Sequence, residues 1–253
     1  MEKILAILLL VVILTFGSGK DEEKNGGELT SSTNQTEVIG KDETMNNEQV
    51  SNNPYKDVEK NPVVTMEIKD LGRIKMELYP QIAPETVENF ISLVNNGVYD
   101  GLIFHRVIPG FMAQGGDPDG NGTGGAGYNI VGEFSANGIA NDLSHTRGIV
   151  SMARSNEANS ASSQFFIVTT DSTYLDGQYA AFGKVIEGMD VVDKVVKSEV
   201  IRRAVDDGVD YFTNPDEYIK QSLECDRPVN PPVIEKATVD TFGVEYSEPK
   251  KLQ

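Results

Sequence analysis

Hydrophobic and polar residues alternate over short stretches from Pro62 onward, which predicts a chain built mainly of β-strands. Residues 63–68 alternate loosely and residues 73–78 (RIKMEL) alternate cleanly, with an Asp-Leu-Gly turn at 70–72 between them. Because successive side chains of a strand point to opposite faces, this pattern predicts a β-hairpin. Glycine-rich turns separate further short apolar runs, which predict strands at 104–107, 111–114, 149–153, 164–168, 182–185 and 233–240.

Two other segments follow the helical period. Pro84 suits the first position of a helix and Gly97 suits its end. The apolar residues between them share one stripe, which consists of Val87, Phe90, Ile91 and Val94. A second helix is predicted at 189–196, where four valines fall on one side. Many short strands with two helices favour a mainly β fold, a closed antiparallel barrel, over a parallel sheet.

The first 17 residues have the features of a secretory leader. An apolar run, Ile4–Phe16, follows Lys3 and precedes the small residues 17–19. At ~1.5 Å per residue this run spans roughly 20 Å as a helix, which is short of the ~30 Å hydrocarbon core of a membrane. A bacterial lipoprotein leader needs a cysteine about where Ser18 stands, so lipidation there is excluded. We therefore expect an extracytoplasmic protein, either secreted or tethered to a membrane through residues 1–17.

Composition divides the remainder of the chain. Residues 18–61 are rich in Asn, Glu, Lys, Ser and Thr and poor in apolar residues, so we predict a disordered polar linker. The folded domain is predicted at 62–245, with an insertion at about 199–230 and a tail at 246–253. Within the insertion, Asn-Pro-Asp-Glu at 214–217 predicts the start of a short helix.

Charge and the rarity of certain residues exclude several classes of function. The chain has 22 basic and 39 acidic residues among 253 and a net charge of −17. This charge disfavours nucleic-acid binding, because phosphate contacts need clustered Lys and Arg. A single cysteine, Cys225, excludes an intrachain disulfide and a multi-cysteine metal site. His105 and His145 are the only histidines, which leaves few options for zinc.

Three short motifs match known sites only in part. Residues 120–125 (GNGTGG) satisfy G-x-G-x-x-G but lack the preceding strand and following helix of a phosphate-binding turn. Residues 117–128 begin like a calcium loop, yet Tyr128 stands at the twelfth position, where glutamate is needed. Ser144 precedes His145, but no G-x-S-x-G elbow accompanies them. We therefore expect neither a metal nor a cofactor.

Longer segments carry a stronger signal. The runs FHRVIPGFMAQGGD at 104–117, HTRGIVSMAR at 145–154 and LDGQYAAFGKV at 175–185, with SQFFI and the closing TVDTFG, resemble the cyclophilin family of peptidyl-prolyl cis-trans isomerases. These motifs most resemble those of bacterial members of the family. The resemblance covers residues from about 62 to 196 and from about 233 to 243. It implies a closed eight-stranded antiparallel β-barrel capped by two α-helices, with a substrate groove on its outside.

The resemblance places one catalytic side chain, Arg106 of the FHR motif, over the bound proline. An X–Pro bond rotates over a barrier of ~18–20 kcal/mol that amide resonance sets. In the twisted state the proline nitrogen becomes pyramidal and regains a lone pair. A guanidinium donor aimed at that nitrogen stabilises the twisted state and not the planar one, which is what lowers a barrier.

The resemblance also implies a substrate-binding groove. A small apolar pocket would take the proline ring, and neighbouring polar and main-chain groups would hold the peptide. By match to the family motifs, the pocket consists of Phe111, Met112, Phe166 and Leu175. The groups that would hold the peptide or line the groove are Gln114, Gly122, Ala153, Arg154, Ser155 and Gln164.

Three groove positions depart from many eukaryotic members of the family. Tyr174 stands in place of tryptophan, Arg154 in place of asparagine, and Tyr179 in place of histidine. The loss of the indole predicts reduced affinity for the inhibitor cyclosporin, whereas turnover of proline peptides is less affected. The charge of Arg154 predicts a mild preference for acidic residues beside the proline.

These observations together predict an enzyme, a peptidyl-prolyl cis-trans isomerase that assists the folding of exported proteins. Its expected partners are proline-containing peptides and unfolded exported chains, with no nucleic acid and with membrane contact only through the leader. The alternative is a non-catalytic chaperone module that holds proline-containing chains in the same groove. The presence of Arg106 together with Phe111, Gln114 and Phe166 favours the enzyme, because a holding module needs the pocket but not an aimed donor.

Overall fold

The computed structural model describes residues 53–201, 221 and 224–253, and within these ranges the main elements are eight strands and two α-helices. Their bounds are β1 Val63–Ile68, β2 Gly72–Leu78, α1 Pro84–Asn95, β3 Arg106–Ile108, β4 Met112–Gly115, β5 Ile149–Met152, β6 Phe165–Val168, β7 Ala181–Glu187, α2 Met189–Val196 and β8 Ile234–Asp240. The predicted leader, the linker up to residue 52 and the helix start at 214–217 lie outside the described residues. None of the described helices is long and apolar enough to cross a membrane.

The eight strands form one antiparallel sheet in the order β3-β4-β6-β5-β7-β2-β1-β8. Every strand and helix predicted from the hydrophobic pattern is present, so the mainly β fold with two helices is confirmed. The ladders leave the sheet open between its edge strands β3 and β8. An isolated bridge from Ile103 to Val233 joins these edges, and the Phe104 amide donates to the Pro232 carbonyl at 2.9 Å. The number and direction of the strands are as predicted, whereas the described ladders do not close the barrel.

The main core lies on one face of this sheet, where α1 covers it. In β1 every second residue is buried and the alternate residues are partly or fully exposed, as the sequence pattern predicts. Phe90 of α1 contacts the rings of Tyr99, Phe182 and Phe165, with centroid distances of 4.9, 5.0 and 5.4 Å. Burial of these aromatic rings attaches the helix to the sheet.

The first turn of α1 is capped by a residue from elsewhere in the chain. Ala83 stands at the capping position and its side chain offers no acceptor. The Glu133 carboxylate instead accepts hydrogen bonds from the Glu85 amide at 3.1 Å and from the Thr86 amide and hydroxyl at 2.8 and 2.6 Å. Burial raises the pKa of Glu133 to about 7, against these hydrogen bonds, which lower it. A buried carboxyl group therefore anchors the helix and titrates near neutral pH.

This shift predicts a specific pH dependence of stability. The native pKa of Glu133 lies above its ordinary value, so between about pH 4.5 and 7 the native state binds more protons than the unfolded state. The free energy of unfolding should therefore fall as pH rises through this window, by on the order of 2–3 kcal/mol from this group. Urea unfolding of the wild type and of Glu133→Gln between pH 4.5 and 8 measures the contribution as the difference between the two curves. Parallel curves would show that Glu133 keeps an ordinary pKa.

Both ends of the domain extend further than composition predicts. The Asn53 amide donates to two carbonyls just before α1, and Tyr55 is only 5% exposed. Tyr55 stacks on Tyr246 with ring centroids 4.7 Å apart and donates its hydroxyl proton to Glu88 at 2.6 Å. Asn53, Tyr55 and Tyr246 thus pack on the domain, although composition assigned them to the linker and the tail. Average composition misses this because two tyrosines from distant positions bury each other.

Candidate active site

The strands bring several of the predicted site residues into one row. Arg106 of β3 pairs with Gln114 of β4, and Gln114 pairs with Phe166 of β6. Phe166 in turn pairs with Ser151 of β5. Directly paired residues of antiparallel strands point to the same face of the sheet and have Cβ atoms about 4.5–5.5 Å apart. The row therefore places Arg106 two strands away from Phe166, on the same face.

This face carries its own apolar cluster, opposite the main core. Buried residues of the outer cluster, as we name it, are Phe111, Met112, Ala153, Phe166, Val168, Leu175 and Tyr179, and Ile108 packs beside them. The intervening strand residues Val107, Ala113 and Ile167 belong to the main core. Because side chains alternate along β3, β4 and β6, one face of the sheet carries the main core and the opposite face carries the outer cluster. Each of the four residues predicted to form the proline pocket, Phe111, Met112, Phe166 and Leu175, lies in the outer cluster.

Phe166 is held between two other rings. The Tyr179 ring meets it edge-on, with centroids 6.0 Å apart, and the His145 ring stacks on it at 6.1 Å. His145 is fixed in turn, because its Nδ1 lies 2.8 Å from Asp176 Oδ1 and its Nε2 lies 3.0 Å from Ser151 Oγ. Burial lowers the pKa of His145, while Asp176 acts to raise it.

The chain Asp176–His145–Ser151 has the order of hydrogen bonds found in hydrolases, but its geometry serves a different purpose. Ser151 is fully buried, so its hydroxyl cannot reach a substrate carbonyl. Burial raises the pKa of Asp176, but the hydrogen bonds from Ser144 and His145 outweigh it and the pKa is lowered overall, so the carboxylate remains an acceptor. Asp176 and Ser151 hold the His145 ring, which supports one side of the Phe166 ring, so His145 has a structural role here.

Two glutamines form the polar side of the site. Gln114 donates from Nε2 to Gln164 Oε1 at 2.9 Å. Gln164 then donates to the Gly122 and Gly124 carbonyls at 3.0 and 2.8 Å, which ties β4 to the loop 117–124. Within that loop, both carboxylate oxygens of Asp117 accept main-chain amides. The motif that begins like a calcium loop is therefore a turn closed by its own hydrogen bonds.

Arg106 has a partner that sequence reasoning did not identify. Its side chain is buried, with 3% of its surface exposed, and its Nε donates to Asp226 Oδ2 at 3.1 Å. Burial raises the pKa of Asp226, while the Arg106 charge acts to lower it. Asp226 lies 120 positions further along the chain, near the end of the predicted insertion. No periodicity or motif connects these two residues, and only the fold brings them together.

Arg154 is more constrained than a charge at the edge of a groove. Its guanidinium lies 4.9 Å from the centroid of the Phe134 ring and 4.7 Å from that of the Tyr179 ring. It also donates to the main-chain carbonyls of Gln178, Ser155 and Asn156, at distances of 3.0, 2.8 and 3.3 Å. These contacts hold the Tyr179 ring in the outer cluster. All three hydrogen-bond acceptors are neutral carbonyls, which do not offset the charge of the guanidinium.

The remaining groove residues are Tyr174, which lies beside the outer cluster, and the segment from Ala153 to Ser155. Tyr174 is 44% exposed and its ring centroid lies 6.1 Å from that of Phe111. The amides of Ala153 and Ser155 already donate within the chain, to the Gln164 carbonyl and the Ser160 hydroxyl. A bound peptide would therefore have to use other main-chain groups of this segment. Arg154 and Tyr174 contact the outer cluster, Gln114 pairs with its Phe166, and Gln164 and Gly122 are linked to Gln114 by hydrogen bonds, while two of the expected main-chain donors are already occupied.

Comparison with known proteins connects this geometry to a family. A family model described as "Cyclophilin type peptidyl-prolyl cis-trans isomerase/CLD" matches residues 63–221. A protein of Brucella suis biovar 1, named as a probable peptidyl-prolyl cis-trans isomerase, is 45% identical over 176 residues, which cover 64% of this chain and 83% of that relative. Peptidyl-prolyl cis-trans isomerase B of Bacillus subtilis is 44% identical over 135 residues, which cover 53% of this chain and 91% of that relative.

A solved structure is similar as well. It is the crystal structure of a Cryptosporidium parvum cyclophilin type peptidyl-prolyl cis-trans isomerase in the presence of the dipeptide Ala-Pro. The alignment has a TM-score of 0.57 and 28% sequence identity, and covers 70% of this chain and 98% of that chain. The family match spans β1 to β7 and both α-helices, and so includes the row from Arg106 to Ser151.

Proposed function

Since this chain belongs to the cyclophilin-type peptidyl-prolyl cis-trans isomerase family and is itself such an isomerase, we propose that Arg106 and the outer cluster form its active site. The observation that carries the proposal is the row of paired residues that joins Arg106 to Phe166 through Gln114. The charge of Arg106 also acts on the Tyr179 hydroxyl, which lies in the same cluster. A cation and an apolar surface for a proline ring are therefore close together.

The proposed mechanism is rotation without a covalent step. The substrate's proline ring packs on the apolar side chains of the outer cluster, and this contact holds one end of the X–Pro bond. Arg106 donates to the proline nitrogen as that nitrogen becomes pyramidal. The planar amide nitrogen is a poor acceptor, so this hydrogen bond is stronger in the twisted state and lowers the barrier.

The polar residues would hold the peptide on either side of the proline. Gln114 lies between Arg106 and Phe166 in the row and is already oriented by Gln164. An oriented amide of this kind can bond a peptide carbonyl or amide with little loss of side-chain entropy. The Ala-Pro dipeptide of the Cryptosporidium parvum structure supports a short proline-containing peptide as the substrate class.

The location of the site is tested by titrating an Ala-Pro peptide into ¹⁵N-labelled protein while isomerisation is followed by NMR exchange. We expect the largest shifts at β3, β4 and β6 and at residues 173–179. Shifts confined to another surface would contradict the proposed site. Binding at the expected strands without turnover would instead favour a module that only holds proline-containing chains.

The cellular role is also a proposal, that the enzyme assists the folding of exported proteins outside the cytoplasm. Its support is the leader-like sequence of residues 1–17 and the polar segment that follows it. A flexible chain with the 35-residue length of segment 18–52 reaches roughly 30–35 Å, enough to hold the domain clear of a membrane if the leader is retained. N-terminal sequencing of the protein from fractionated cells tests this role. Recovery of the intact Met1 form only from the cytoplasmic fraction would contradict it.

The charge of Arg154 leads to a prediction about substrates. We expect peptides with Glu next to the proline to be turned over about two- to threefold faster than peptides with Lys, which is the range of an exposed ionic interaction. Arg154→Lys should keep this preference because it keeps the charge, whereas Arg154→Gln should lose it. Equal kcat/KM for the Glu and Lys peptides in the wild type would contradict the prediction.

The exposed position of Tyr174 leads to a prediction about inhibition. Cyclosporin should bind this protein with reduced affinity, because a phenol ring replaces the indole that the family resemblance associates with tight binding. Tyr174→Trp should increase the affinity about tenfold, while turnover of proline peptides changes little. Isothermal titration calorimetry measures the affinity, and Tyr174→Phe provides a matched control. An unchanged affinity in Tyr174→Trp would contradict this role of position 174.

A further inference from the structure

The dipeptide Asp226-Arg227 contacts two separate parts of the proposed active site. Asp226 accepts the Arg106 Nε proton on its carboxylate at 3.1 Å, and its main-chain carbonyl accepts the Val107 amide proton at 2.9 Å. The Arg227 guanidinium donates to the Gly120 carbonyl in the loop 117–124. This is the loop to which Gln164 donates. Two consecutive residues thus attach to the strand that carries Arg106 and to the loop beside Gln114 and Gln164.

The main chain that follows Asp226 is itself held in place by pairing with residues 199–201. The Arg227 carbonyl accepts the Ile201 amide proton at 3.0 Å, and the Val229 amide donates to the Glu199 carbonyl at 2.8 Å. An isolated bridge joins Val200 to Pro228 between these two bonds. The segment after α2 and the segment before β8 therefore pair with each other, so the position of Asp226 is set before any substrate binds.

A fixed acceptor at Nε determines how the guanidinium points. The group is planar, and its five N–H donors have a fixed geometry, so a bond at Nε sets the directions of the two terminal nitrogens. Among the described residues, the Asp226 carboxylate is the hydrogen-bond partner of the Arg106 side chain. An arginine side chain carries ~2 kcal/mol of rotamer entropy, which an unpaired Arg106 would lose at the moment of catalysis. A misplacement of about 1 Å at a reacting centre can cost about 100-fold in rate.

We propose that Asp226 is a positioning residue of the isomerase, which holds Arg106 by its Nε so that the terminal nitrogens are directed at the proline nitrogen. The inference rests on the proposed role of Arg106 and assigns a function to the end of the 199–230 insertion. Asp226 acts through Arg106 and does not touch the substrate. Arg227 helps to fix the same segment, because its guanidinium joins that segment to the loop 117–124.

The test compares Asp226→Ala and Asp226→Asn in the full chain, with kcat and KM for an Ala-Pro peptide measured separately. We expect Asp226→Ala to lower kcat about tenfold and to leave KM within about twofold, because orientation matters mainly in the twisted state. Asp226→Asn keeps an oxygen that can accept the Nε proton, so it should recover kcat to within about threefold of the wild type. A kcat within twofold of the wild type in Asp226→Ala would overturn the inference, and so would an Asn variant as slow as the Ala variant.

Asp193→Ala is the matched control, because Asp193 pairs with an arginine, Arg147, outside the outer cluster. It should leave kcat unchanged.

If Asp226→Ala does not fold, NMR of the wild type tests whether Asp226 holds the Arg106 side chain. The Arg106 Nε–H should exchange with water at least tenfold more slowly than that of the half-exposed Arg147, and equal exchange rates would overturn the inference. Arg106→Ala in the same assay separates the two proposals, because full activity there would reject the active site itself and not only the role of Asp226.

Discussion

Arg106→Ala is expected to lower kcat/KM for proline peptides by about 100- to 1,000-fold, the range measured when one transition-state donor is removed from an enzyme. The loss should fall on kcat, because the hydrogen bond to the proline nitrogen strengthens only as the amide twists. Arg106→Lys should recover only part of the activity, since its compact ammonium cannot donate to Asp226 and to the substrate with the fixed geometry of a guanidinium. The measurement is NMR exchange or a coupled assay with an X–Pro peptide.

This experiment needs a control for stability, because Arg106→Ala leaves Asp226 without its cation. The Asp226 side chain is 25% exposed, so its carboxylate is only partly solvated when unpaired. The double variant Arg106→Ala with Asp226→Asn removes that charge and should recover stability without recovering kcat. Full turnover in the single variant would contradict the proposed mechanism, and so would recovery of kcat in the double variant.

Phe166→Ala is expected to reduce both stability and turnover, whereas Phe165→Ala should reduce stability alone. Both rings are buried, with 1% of Phe166 and 0% of Phe165 exposed. Truncating a buried phenylalanine costs about 3–5 kcal/mol of folding free energy. The two residues are adjacent in β6 but point to opposite faces, Phe165 into the main core and Phe166 into the outer cluster. Only Phe166→Ala should also raise KM and lower kcat/KM, by about tenfold or more per folded molecule, through loss of apolar contact with the proline ring.

The comparison is made on the folded fraction, which urea unfolding provides for each variant. If either alanine variant is mostly unfolded, the pair Phe166→Leu and Phe165→Leu gives the same contrast with a smaller loss of volume. Equal losses of kcat/KM per folded molecule in both members of a pair would show that the outer cluster has no role beyond packing. A loss confined to Phe166 would locate the proline ring on that side of the sheet.

The sequence was sufficient for the parts of the fold that depend on local periodicity. The period of two along 63–68 and 73–78 predicts β1 and β2, and the apolar stripe from Val87 to Val94 predicts α1, because burial on one face requires these spacings. Family resemblance added the candidate residues around the proline pocket, of which Phe111, Met112, Phe166 and Leu175 share one cluster in the structure. Composition did not detect the contact between Tyr55 and Tyr246, which lie outside the predicted borders of the domain at 62 and 245.

By itself, the sequence determined the strands and helices, the alternation along β1 and β2 and, through the family resemblance, the candidate residues of the site. Only the tertiary structure decided which distant groups complete them: Glu133 at the start of α1, Arg154 on the Tyr179 ring and Asp226 on Arg106. Periodicity comes from the geometry of a single element and is visible in neighbouring residues. Partners for buried charges and open helix ends come from whichever segment the folded chain brings within hydrogen-bond distance, and no local pattern records that choice.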